Sequence, residues 1–276
     1  MCDDLEMPLK NETRVRDEPV SNSTFIRHPS SLLIGFLAAL QFLTVVPPLI
    51  RRPFTARELG QSVGWFPLVG VVLGASLASA DYTLSFLFPP NVTSALLLTM
   101  WVLATGALHL DGFLDSCDGL FGGKTTEQRL SIMRDERAGA FAVAGGILLL
   151  LVKYSCLAGL PSRWTALVVA PTLARWGMAV AVIAFPYARS EGLGRWMKDC
   201  AGWRQVAVAS LTALVTATLA AWWLGLAALA LAAAALVASA VFVLRRLSGL
   251  TGDIYGALCE LLETLTLLTF VAGERL

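Results

Sequence analysis

Charge is scarce in this sequence. Only 15% of its 276 residues are Asp, Glu, Lys or Arg, against about 25% in an ordinary soluble domain. Histidine is scarcer: His28 and His109 are the only two, which excludes a zinc centre built on several histidines. The five cysteines, Cys2, Cys117, Cys156, Cys200 and Cys259, are scattered and form no CxxC pair. Neither a disulfide framework nor a thiolate metal site is expected. A formal net charge of +1 leaves no basic field to attract nucleic acid.

What fills the sequence instead is apolar. Hydrophobic residues make up 56% of it and the mean hydropathy is +0.68, the composition of an integral membrane protein. Runs long enough to cross about 30 Å of hydrocarbon fall at 32–50, 63–88, 94–114, 139–160, 164–185, 205–222, 224–244 and 254–273. The stretch 205–244 is too long for one crossing and is divided at Trp222–Gly225, where aromatic residues suit an interface. The first run contains Gln41 and Thr44 and ends in Pro47-Pro48, so it is open to a re-entrant or interfacial reading. The expectation is an all-α, polytopic helical bundle of about seven or eight membrane segments, forming a catalytic domain over 32–276. Residues 1–31 are polar, mixed in charge and without apolar periodicity; they are predicted to be a disordered tail. With so long a polar stretch before the first apolar run, a cleavable signal peptide is not expected.

Basic residues are distributed unequally between the connections. Alternate ones carry Arg51, Arg52 and Arg57; Lys124, Arg129, Arg134 and Arg137; Arg189, Arg195, Lys198 and Arg204; and Arg245 and Arg246. The remaining short connections and the C-terminus hold Arg163 and Arg275. The positive-inside rule places the rich set in the cytoplasm. Lys10, Arg14, Arg16 and Arg27 of the tail would join it if the first run is re-entrant. Three polar stretches share the basic side: 106–141, "YARSEGLG" (187–194) and "SGLTGD" (248–253).

The first of these contains "HLDGFLDSCDGLFGG" (109–123). Asp111 and Asp115 are four apart, Asp115 and Asp118 three apart, so on a helix all three lie within roughly 60° of one another. Three like charges so close repel unless a cation is present. Hard oxygen ligands on one face suit Mg²⁺, which keeps several waters and is often shared with substrate phosphates. Gly112 and Gly119 follow two of the acids and would let a ligand approach the backbone. Further on, "IMRDERAGA" sets Asp135 between Arg134 and Arg137. Carboxylates for a metal and arginines for phosphate oxygens are the equipment of phosphoryl-group transfer. His109 is read as a hydrogen-bonded neighbour of the acids. Lys153 and Arg175 lie within apolar runs, where a cation is a functional candidate; snorkelling and a structural ion pair are the competing readings. Asp253 and Glu260 share a helix face with seven-residue spacing, and Glu260 and Glu263 should point inward, into a polar network or a substrate pocket. Gly70 and Gly74 have helix-packing spacing.

Several stretches together make a resemblance: "QFLTVVP" (41–47), "GWFPLVG" (64–70), "HLDGFLDSCDGLFGG", "LSIMRDERAGAF" (130–141), "YARSEGLG" and "TGDIYGALCELLE" (251–263). In these the sequence resembles the cobalamin synthase family, the adenosylcobinamide-GDP ribazoletransferases. The resemblance implies a Mg²⁺-dependent enzyme of the bacterial inner membrane, with its active site toward the cytoplasm. It implies transfer of adenosylcobinamide phosphate from adenosylcobinamide-GDP to α-ribazole or its 5′-phosphate, with release of GMP. Other corrinoid-pathway enzymes, or a second copy of the chain, are candidate partners. Under it, Asp111, Asp115 and Asp118 hold Mg²⁺ and Arg137, with Arg134, meets phosphate oxygens. Asp135 is a further ligand or the general base. Lys153, Arg175, Arg189, Asp253 and Glu260 are substrate-pocket candidates.

Rival readings fit less well. A CDP-alcohol phosphotransferase pattern begins with "DSCDG" (115–119), but no Ala-Arg follows and Asp135 has no aspartate at 131 or 139. A membrane polyprenyl transferase would carry two aspartate-rich clusters rather than one. An ion-coupled transporter could use Lys153, Arg175 and Glu260, but has no need of a Mg²⁺-type cluster at a helix end.

Overall fold

A hydrocarbon environment offers the backbone no hydrogen-bond partners, so apolar runs satisfy their own N–H and C=O groups as helices. The computed structural model describes residues 30–275, and among these the regular structure is helical apart from one isolated β-bridge, Tyr187 to Leu250. The helices are α1 (Ser30–Leu43), α2 (Ala56–Ser62), α3 (Phe66–Leu84), α4 (Pro90–Ala104), α5 (Leu108–Gly122), α6 (Thr126–Ile132), α7 (Ala140–Gly159), α8 (Trp164–Ala184), α9 (Leu193–Cys200), α10 (Trp203–Leu244) and α11 (Gly252–Gly273). The polar tail expected at 1–31 lies, but for its last two residues, outside the described residues.

Five helical stretches are long and apolar enough to cross a membrane: α2 continued through a 3₁₀ turn into α3, then α7, α8, α10 and α11. A sixth results if the bent pair α4 and α5 is taken as one span. The count differs from the seven or eight expected for two physical reasons, and because α10, taken above as one stretch, holds two limbs. With 14 residues, α1 extends only about 21 Å, less than the hydrocarbon thickness, and Gln41 closes its end by bonding both Ile50 N (2.8 Å) and Ile50 O (3.2 Å). The run expected at 94–114 breaks at Gly106 and Ala107, whose φ angles of 59° and 58° turn α5 by 87° away from α4. Finally, α10 takes in both runs of 205–244 but is interrupted where the aromatic residues suggested: Trp222 has φ 43° and ψ −123°. The chain reverses there, because Gly225 packs against the backbone of Ala217, eight residues back. Buried alanines line both limbs: Ala209, Ala213 and Ala217, then Ala228, Ala232 and Ala240. Small residues let two helices approach closely in lipid.

The most enclosed helix is α8, buried along nearly its whole length and packed by α3, α10 and α11. On α3, Gly70 and Gly74 are the packing pair expected: a Cβ on either would lie 2.7 Å from a backbone Cα of α8, that of Thr172 or Val168. The basic connections meet one another in space. Thr126 Oγ1 and Arg129 Nη1 of α6 donate to the carbonyl of Arg246 at 3.1 and 3.4 Å. Gly60 of α2 stands against the backbone of Cys200 in α9. At the far end of α7, the isolated Arg163 is fastened to Asp81 (3.0 Å) and to the carbonyls of Leu157 (2.6 Å) and Pro90 (3.5 Å).

Candidate active site

The sharp turn at Gly106–Ala107 starts α5 and so decides where its acids stand. Asp111 is exposed, Asp115 half-buried and Asp118 buried. The N-terminus of α11 comes directly alongside. A Cβ on Gly112 would lie 2.8 Å from the carbonyl oxygen of Asp253, and one on Gly256 would lie 3.0 Å from that of His109 and 3.3 Å from Gly112 Cα. Gly112 therefore admits a neighbouring helix rather than a ligand. Gly119 does the same for the end of α6, where a Cβ would lie 2.9 Å from the Arg129 carbonyl.

This crossing carries Asp253 to the aspartate face. Thr251 caps α11, accepting from Ile254 N at 3.3 Å and donating to Asp253 Oδ2 at 3.2 Å. A loop docks on the same corner through Ala188 N to Leu250 O and Leu250 N to Pro186 O, both 2.8 Å, and Arg189 Nη2 donates to Asp253 Oδ2 at 2.6 Å. Asp115 then feels the negative charges of Asp111, Asp253 and Asp118, with Arg189 as the opposing cation. Three stretches distant in sequence thus meet at one acidic face.

Asp118 has a defined structural task. Gly139, at the N-cap of α7, has no side chain to offer, and Asp118 substitutes from α5: its oxygens accept from Gly139 N at 2.5 Å and Ala142 N at 2.9 Å. An anion there also meets the positive end of the helix dipole. Replacing Asp118 by Ala should cost about 1–2 kcal/mol of stability, read as a lower midpoint in thermal unfolding of the detergent-solubilised protein; an unchanged midpoint would remove the capping role. Beside it a shallow cleft is lined by Asp118, Asp135, Arg137 and Gly139–Phe141. Asp135 Oδ1 accepts from Arg137 N (3.1 Å) and Nε (3.3 Å), a local turn on the surface. Arg137 is 91% exposed, so its remaining donors face outward. Arg134 acts electrostatically on Tyr187, whose phenol is held above its ordinary pKa by burial, with Arg189 opposing.

Lys153, Arg175 and Glu260 are not brought to this face. They are buried together with Glu263: Lys153 Nζ lies 2.5 Å from Glu260 Oε2 and 2.5 Å from Glu263 Oε2, and Arg175 Nη1 bonds Glu263 Oε1. Trp101 Nε1 donates to Glu263 Oε1 at 3.2 Å, and its ring lies 5.0 Å from Lys153 Nζ. His109 is 1% exposed and feels the charges of Arg175 and Lys153. Its Nε2 has no hydrogen-bond partner among the described residues. Sequence reasoning missed Tyr187, Tyr255 and Thr251. Only Thr251 had left a signal, as a threonine directly before a helix start.

The acidic face can be tested against a divalent cation. Among the described residues, no three His, Cys, Asp or Glu side chains form a ready metal-binding group. A closed cage is therefore absent, but Mg²⁺ needs only one or two carboxylates when substrate phosphates complete its shell. Asp111 and Asp115 offer hard oxygen donors, one of them exposed, so the donor set suits such a cation.

Comparison with known proteins decides the relationship. The model of the cobalamin-5-phosphate synthase family matches residues 35–271. The chain belongs to this family. Among similar curated proteins, the adenosylcobinamide-GDP ribazoletransferase of Geotalea daltonii is 40% identical over 240 residues, covering 86% of this chain and 96% of that one. That of Desulfitobacterium hafniense is 41% identical over 239 residues (83% and 93%), and that of Pseudomonas syringae 40% over 245 residues (86% and 98%). No solved structure matches. The span shared with the cobalamin-5-phosphate synthase family contains the acidic face, the Asp135 cleft and the buried ion pairs.

Proposed function

We propose that this membrane protein transfers adenosylcobinamide phosphate from adenosylcobinamide-GDP to α-ribazole or its 5′-phosphate, releasing GMP. The family match over residues 35–271 carries the reading, and the relatives' name, adenosylcobinamide-GDP ribazoletransferase, supports the donor and a ribazole-type acceptor. Asp111 and Asp115 would hold Mg²⁺, which supplies charge neutralisation for the departing nucleotide phosphate. Arg137 and Arg134 donate to phosphoryl oxygens as charge builds on them. Asp135 accepts the proton of an attacking ribose hydroxyl. A new oxygen–phosphorus bond forms to the phosphate on the corrinoid arm, and the pyrophosphate bridge breaks toward GMP. Asp118 keeps α7 in place beside these groups. The basic connections on this end support a cytoplasmic site in a bacterial inner membrane.

Protein in lipid nanodiscs, given adenosylcobinamide-GDP, α-ribazole and Mg²⁺, should release GMP in step with corrinoid product, and EDTA should stop it. Absence of GMP with a folded, monodisperse sample would overturn the activity. EDTA-resistant turnover would overturn the metal alone.

A further inference from the structure

Arg189 carries more bonding capacity than the structure uses. A guanidinium has five N–H donors; Nη2 is committed to Asp253, while Nε is buried without a hydrogen-bond partner among the described residues. Leaving a buried donor unmet is costly. A second unmet group lies on α11: Tyr255 is 5% exposed, its hydroxyl has no partner among the described residues, and its ring stacks at 6.0 Å on that of Tyr187, two residues before Arg189. The backbone around Arg189 is fixed. The two hydrogen bonds to Leu250 hold it, and Gly249 lies flush under it, with a Cβ there only 2.7 Å from Ala188 N. Motion at this corner therefore belongs to the side chain.

Its position gives that motion a meaning. At Asp115, Arg189 opposes the negative charge of Asp111, Asp253 and Asp118, and it does so from the edge of the acidic face, through its pair with Asp253. We propose that Arg189 is a transferable counter-ion. In the empty enzyme it neutralises Asp253; when a divalent cation occupies the acidic face, its guanidinium turns to an anionic phosphate oxygen of the donor substrate. The idea rests on the preceding reading that this face takes such a cation. Cation entry weakens the pull of Asp253 on Arg189, and the unmet Nε then gains a partner along with Nη2. Cation and phosphate consequently bind with positive coupling, each favouring the rearrangement the other needs.

Mn²⁺ binding followed by electron paramagnetic resonance tests this without turnover, using full-length protein in nanodiscs and inorganic pyrophosphate as the anion. Arg189→Gln removes the competing cation and should tighten Mn²⁺ about tenfold in the absence of pyrophosphate. In the wild type, Mn²⁺ should tighten pyrophosphate by about tenfold beyond what direct coordination of pyrophosphate to the cation supplies; in Arg189→Gln only the part due to direct coordination should remain. Arg189→Lys keeps the charge but not the planar fork, so it should keep the wild-type Mn²⁺ affinity and lose most of that added pyrophosphate gain. Equal Mn²⁺ affinity in wild type and Arg189→Gln would overturn the counter-ion role. A full pyrophosphate gain in Arg189→Lys would overturn the hand-over, even if Arg189→Gln fails to fold. No Mn²⁺ binding in any variant would remove the metal reading itself, and the exchange with it.

Discussion

Asp115→Asn should lower turnover by about 10²–10³-fold, the loss of roughly 3–4 kcal/mol of transition-state stabilisation when a metal-binding charge is removed. The same change should leave the protein at least as stable as before. Asp115 is the member of the acidic face set among three other carboxylates with a single opposing cation. Asparagine keeps the shape and removes one of the repelling charges. A few degrees' rise in the unfolding midpoint, together with lost GMP release, is the signature of a residue kept for chemistry at the expense of stability. The paired measurement separates the alternatives. Retained turnover would take Asp115 out of the site. A fall in both turnover and midpoint would make it a structural residue like Asp118.

That contrast between neighbours three residues apart marks the limit of sequence reading. Helical spacing placed Asp111, Asp115 and Asp118 on one face, and they do share it. Spacing carries no information on what the face meets. At Asp111 α5 opens outward, while two turns further on it caps α7 through Asp118. The capping need arises at Gly139, which has no side chain to meet it, and the supply comes from 21 residues earlier. Gly112 and Gly119 follow the same pattern. Their lack of a side chain was legible as a demand for close approach, but which body approaches is a tertiary fact: α11 in one case and the end of α6 in the other.

The architecture was legible where length and hydropathy decide it, and less so where a few dihedrals do. The crossing helices α7, α8 and α11 were expected within a few residues of their observed limits. The interruption of α10 was expected because aromatic residues mark it. The right angle between α4 and α5 was not, since it depends on two consecutive left-handed residues, one of them Ala107, a conformation alanine rarely adopts. Charge asymmetry predicted that the segments at 106–141, 187–194 and 248–253 would converge, and they do, through the close approach of Gly112 to Asp253, the Arg189–Asp253 pair and the backbone bonds at Leu250. Burial of Lys153 and Arg175 was equally legible, but composition could not separate a pocket from a network.

The network itself yields the other large effect. Lys153→Met should destabilise the protein by about 3–5 kcal/mol, because it removes the cation from a buried pair and leaves Glu260 uncompensated. Glu263 keeps Arg175 and Trp101, so the loss centres on Glu260, whose ion pair is with Lys153. Adding Glu260→Leu removes the stranded charge and should restore most of the midpoint, since replacing a whole buried pair with apolar groups is often close to neutral. The size of that recovery measures the coupling between the two residues. Turnover then decides what the pair is for. If it returns with stability, Lys153 and Glu260 serve to brace α7 against α11 beneath the acidic face. If the double variant is stable but inactive, the pair contacts substrate despite its burial, and the pocket extends into the membrane core.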